Sequence, residues 1–95
     1  MLEKLEPIED RYNEINQELL KVGDDYQRAA DLSKERAELE PLVELAREYR
    51  NLLNRLEEAQ ALLDSEDPGM TELAEMEIAD LEPKVEPLEN RIKSM

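Results

Sequence analysis

Apolar residues in this 95-residue chain fall three or four positions apart almost from end to end. A chain patterned in that way buries its stripe by laying helices side by side. The first stripe is Leu2, Leu5, Ile8, Tyr12, Ile15, Leu19 and Val22. The second runs through Leu32, Leu39, Leu42, Ala46, Tyr49, Leu53, Leu56 and Leu63, and the third through Ala74, Ile78, Leu81, Val85, Leu88, Ile92 and Met95. The sequence therefore predicts an all-α fold in a single domain, 1–95, with helices over approximately 2–22, 25–63 and 68–95. The breaks carry their own signals. Gly23 supplies a left-handed stop, Asp24 with Gln27 three places on is close to a capping box, and Asp67 is placed to cap a helix that opens on Pro68.

At 1.5 Å per residue these helices would measure roughly 30, 58 and 42 Å. With short loops making neighbours antiparallel, unequal rods predict an elongated antiparallel helical hairpin or three-helix bundle with coiled-coil-like packing. All three helices would overlap near residues 35 to 46, and the stretch around Leu53 to Ala74 would project as an arm. Leu-Glu-Pro recurs at Leu5 to Pro7, Leu39 to Pro41 and Leu81 to Pro83. Taking 100° per residue, Pro41 lies about 100° from the centre of its stripe, and Pro7, Pro83 and Pro87 are off-stripe as well. On a solvent face water satisfies the carbonyl that a proline frees, so helices curved at Pro41 and Pro83 are expected; the other reading is that one of these prolines marks a helix end.

Charge narrows the partners. Twenty-six acidic against twelve basic side chains give a net charge of −14, which disfavours DNA or RNA wrapping, because that affinity comes from Lys and Arg displacing counterions. A basic protein surface is the better complement. Without Cys there is no disulfide or thiolate zinc site, and without His the usual metal ligand and general base are missing. With only Gly23 and Gly69 there is no phosphate-cradling loop. No catalytic, cofactor or metal residues are assigned, and no enzyme activity is expected. The charged first fifteen residues offer no signal peptide or membrane span, so a cytoplasmic protein without a membrane partner is expected.

Asp64, Glu66, Gly69 and Glu75 occupy positions one, three, six and twelve of a calcium-loop pattern, but Pro68 at position five offers no side-chain oxygen. A helix-breaking acidic turn accounts for the same residues. Carboxylate pairs such as Glu57 with Glu58, or Glu38 with Glu40, are expected on solvated faces in so acidic a chain. Tyr12, Tyr26 and Tyr49 fall on or near stripes and are expected to bury their rings. Arg36, Val43, Arg47, Arg50 and Asn54 gather on one flank of the second helix. They are candidates for a partner or interdomain contact; alternatively, the arginines pair with glutamates of a neighbouring helix. Met70 and Met76 are either filler or a contact patch.

The stretches "MLEKLEPIEDRYNEI", "LSKERAELEPLVELAREY" and "EDPGMTELAEMEIADLE", in that order, resemble the N-terminal domain of the bacterial peptide chain release factor 1 family across essentially the whole chain. "KVGDDYQRA" is shorter than the acidic, proline-containing loop expected there. In that family a Pro-x-Thr type tripeptide reads the stop codon and a Gly-Gly-Gln motif directs peptidyl-tRNA hydrolysis, both in later domains; neither motif occurs here. The resemblance implies an excised helical module of translation termination that inherits no catalytic or codon-reading residue. It further implies a contact and positioning role near the stalk base of the large ribosomal subunit and its protein L11, and functional coupling to release factor 3. A stand-alone acidic coiled-coil adaptor or chaperone-like hairpin, able to self-associate, is the alternative.

Overall fold

A computed structural model describes all 95 residues, which form two compact units, Met1–Ala46 and Arg47–Met95. The chain is all-α. Its elements are α1 (Leu2–Leu19), α2 (Tyr26–Leu62), α3 (Pro68–Leu81), a 3-10 turn (Glu82–Lys84) and α4 (Val85–Lys93), with α2 contributing to both units.

In the first unit α1 buries Leu5, Tyr12 and Ile15, and the matching part of α2 buries Leu32, Val43, Leu45 and Ala46. The polar groups along the seam fix its direction. Arg11 meets Glu35 while Glu18 meets Arg28, so α1 and α2 run antiparallel. The Arg11 guanidinium donates twice to the Glu35 carboxylate, at 2.8 and 2.7 Å. This fork is the main reason the guanidinium pKa is raised and the Glu35 carboxyl is held below the usual carboxylate range.

Helix α1 stops three residues before the expected end. Lys21 N–H donates to the Glu18 carbonyl in a tightened last turn, and Gly23 then takes φ +55, where a side chain would be strained although space is open around it. The cap of α2 is Asp25 rather than Asp24: its carboxylate accepts the Arg28 N–H at 3.0 Å, reaching the third helical residue as an N-cap does. That register puts Tyr26 at the first helical position, 78% exposed, so the expectation that all three tyrosines are buried fails at Tyr26.

In the second unit α2 contributes Tyr49, Leu52, Leu56 and Ala59, spaced three and four apart, and the returning segment contributes Ala74, Leu81, Leu88 and Ile92. Tyr49 meets Glu89 and Arg55 meets Glu77, so the return is antiparallel too. The expected third helix over 68–95 is not continuous. Pro83 removes the donor that the Ala79 carbonyl would use in an α-helix, and Pro87 does the same to the Pro83 carbonyl. With two successive turns weakened, Glu82–Lys84 tightens to 3-10 geometry, closed by the Val85 N–H on the Glu82 carbonyl. The apolar stripe survives this break. From Ala74 to Leu88 a seven-residue repeat drifts by about 40° on a straight α-helix, and three residues wound at about 120° return about 60°. Pro41, by contrast, stays inside an unbroken α2, and Pro7 inside α1. Each lacks a second proline four residues on, and the carbonyls they free belong to the exposed residues Ala37 and Glu3.

The Tyr49 hydroxyl donates to Glu89 Oε2 at 2.6 Å. That bond first, then burial, then the nearby negative charge push its pKa up to about 12. A folded-state value above the unfolded one of about 10 means that this contribution to stability is complete below pH 10 and is lost as pH rises towards 12. Tyr49→Phe is expected to cost about 1–2 kcal/mol at neutral pH in urea unfolding. The variant should also lack the part of the stability loss that the parent chain shows between pH 10 and 12; parallel pH profiles would refute this account of the bond.

Candidate protein-interaction surface

The five candidates for a contact flank on α2 meet different fates. Arg36 is half-buried in the first unit, where its Nε donates to Asn16 Oδ1 at 2.6 Å and its guanidinium lies 5.2 Å from the centre of the Tyr12 ring. It locks α1 to α2 by a neutral amide and a π face instead of a glutamate. Val43 is 2% exposed and belongs to the core, so its side chain offers no surface to a partner. In the second unit Arg47 is exposed and Arg50 half-buried, each engaged by an interaction within the chain, and Asn54 is exposed.

A different surface stands out at the α2–α3 turn of the second unit. Leu62, the last residue of α2, and Leu63 just after it are partly uncovered; on α3, Met70 is 39%, Leu73 61% and Met76 63% exposed. Stepping by three, these α3 residues stay within about 120° of the helix circumference. The turn that presents them is built from acids. Asp67 caps α3 by accepting the Gly69 N–H at 2.9 Å, its own N–H donates to Ser65 Oγ at 3.1 Å, and the Thr71 hydroxyl donates to the Ser65 carbonyl at 3.3 Å. Asp64, Glu66 and Glu75 gather into no metal-ligating group. From Leu56 to Pro83 the sequence holds ten Asp and Glu and no Lys or Arg. The surface is therefore apolar side chains set in a large excess of negative charge, with Glu77 and Asp80 meeting Arg55 and Lys84 from outside the run, a complement for a basic protein face with apolar contacts. The sequence shows the acid-only run; it does not show Leu73, since spacing alone leaves open which α3 residues face away from the core. No helix is long and apolar enough to cross a membrane.

The PCRF domain profile matches residues 8–95. The chain is 47% identical over 93 residues to the peptide chain release factor 1 of a Nitratiruptor species, covering 96% of this chain and 26% of that protein. It is 42% identical over 95 residues to the peptide chain release factor 1 of an Anaeromyxobacter species, covering 98% and 26%. With that of a Geobacillus species it shares 41% over 96 residues, covering 98% and 27%. The chain thus spans about a quarter of the length of the curated relatives it matches. No solved structure matches it significantly.

The patch and the core should separate cleanly by mutation. Leu81 is fully buried, so Leu81→Ala is expected to lower the unfolding free energy by about 2–5 kcal/mol. Leu73→Ser and Met76→Ser should each stay within about 0.5 kcal/mol of the parent chain. Urea unfolding followed by circular dichroism decides it; a loss at Leu73 or Met76 comparable to that at Leu81 would show the patch to be part of the core.

Proposed function

This chain belongs to the PCRF domain family, and from that membership we propose that it works in translation termination, as the N-terminal domain of a peptide chain release factor 1. In this role it is a contact and positioning arm near the large-subunit stalk base, with protein L11 as its neighbour, in a cytoplasmic factor whose function is coupled to release factor 3. Stop-codon reading and peptidyl-tRNA hydrolysis are assigned to other domains, and this domain is not itself an enzyme. Similarity over 96% of the chain supports the class of protein. The structural observation that carries the contact role is the exposed Leu73 and Met76 within a segment holding ten acids and no base. Such a surface repels phosphate and favours basic protein, which is the choice a factor must make to dock on a particular protein amid ribosomal RNA.

The test is binding of the chain to ribosomes with and without L11, at low salt, alongside a release assay on termination complexes. Expected are weak association, reduced about tenfold without L11 or by Leu73→Ser with Met76→Ser, and no release by the chain alone. It should also compete poorly with a full-length factor, whose tethered domains raise one another's effective concentration. Release of peptide by these 95 residues, nanomolar competition, or association indifferent to L11 would overturn the proposal.

A further inference from the structure

The chain has no cysteine and four methionines. With no thiol present, the methionine thioethers are its groups most open to two-electron oxidation by a peroxide. Their placement is uneven. None belongs to the core, which is built from Leu, Ile, Val, Ala and Tyr. Met1 and Met95 stand at the two ends, whereas Met70 and Met76 are exposed three residues to either side of the exposed Leu73 on α3. A change in the polarity of these two side chains therefore acts on the apolar surface of the second unit and opens no buried position. The ten acids from Leu56 to Pro83 disfavour an anionic oxidant, so an uncharged peroxide is the class of reagent that reaches them.

We propose that Met70 and Met76 form a reversible oxidation site, and that their sulfoxide forms close the Leu73 surface to an apolar partner. The thioether sulfur attacks one oxygen of hydrogen peroxide, and the S–O bond forms as the O–O bond breaks. The attacked oxygen passes its proton to the departing one, which leaves as water. Sulfur loses two electrons and the peroxide gains them. A sulfoxide reductase restores the thioether: two of its thiols become a disulfide and the oxygen leaves as water. In a packed core the added oxygen would cost stability; here it replaces flexible apolar contact area with a polar group, and only a docking partner meets the difference. The oxidation site stands on exposure and composition, while its effect on ribosome binding rests on the role proposed above.

The chain is treated with hydrogen peroxide, and peptide mass spectrometry locates the added oxygen. Met70 and Met76 are expected to oxidise within about tenfold of the rate of an unstructured methionine peptide. The oxidised chain should keep its urea midpoint, elute earlier from a hydrophobic-interaction column, and bind ribosomes about three- to tenfold more weakly than the untreated chain. Methionine sulfoxide reductases of the two epimer specificities should reverse both the elution and the binding change. Met70→Leu with Met76→Leu, judged against its own untreated form, should lose the response to peroxide, whereas Met95→Leu should respond as the parent does. Protection of Met70 and Met76 from peroxide, unfolding on oxidation, or sulfoxides that the reductases leave in place would overturn the proposal. So would unaltered column retention, ribosome binding indifferent to oxidation, or a full response in the double variant. Failure of the untreated chain to bind ribosomes would instead defeat the ribosomal role, and the column shift would still decide the oxidation site.

Discussion

Narrow apolar stripes govern this chain. With four residues in ten charged and no Phe or Trp, no helix carries enough apolar surface to stand alone, so each buries its stripe against an antiparallel neighbour. The largest fully buried side chains are Leu5, Ile15 and Leu81, aliphatic groups whose stripes slide past one another at little cost. Register must then come from polar groups beside the seam. The Arg11 fork on Glu35 and the Arg36 contacts with Asn16 and Tyr12 set it in the first unit, and the Tyr49 hydroxyl on Glu89 sets it in the second.

The repeated Leu-Glu-Pro shows that a proline's effect depends on whether a second proline follows it one turn later. At Pro7 and Pro41 a single carbonyl loses its helical donor and the helix continues. At Pro83 a second proline follows four residues later, and the combined loss converts three residues to a 3-10 turn. The overwinding of that turn keeps Ala74, Leu81 and Leu88 on one line, so a local break preserves packing that a straight helix would gradually lose.

Much of the architecture was legible in the sequence because periods of three and four state helix type directly, and Asp67 before Pro68 states a helix start. Single-residue choices were not. Asp24 and Asp25 are adjacent and equally able to cap, and the choice of Asp25 decides that Tyr26 opens the helix in solvent. The three-and-four register through Leu32, Leu39 and Leu42 to Leu63 is one line along α2, whereas burial also takes in Val43, Leu45, Leu52 and Ala59. Val43, a candidate for a contact flank, is core. The arginines beside it were visible as a group, but their partners depend on side chains from other helices, which spacing within one helix does not encode. Conversely, the acid-only run around the α2–α3 turn was plain in the sequence, and its meaning emerged only with the exposure of Leu73 and Met76.

Those facts join in one proposed working surface, apolar side chains presented by a hydrogen-bonded acidic turn. Hydrogen exchange of the chain with and without isolated large ribosomal subunits tests it most directly, since a docked surface slows the opening of the amides beneath it. Slower exchange confined to residues 62–76, abolished by raising the salt concentration, is the predicted result. Unchanged exchange there, with protection appearing in the first unit instead, would contradict it.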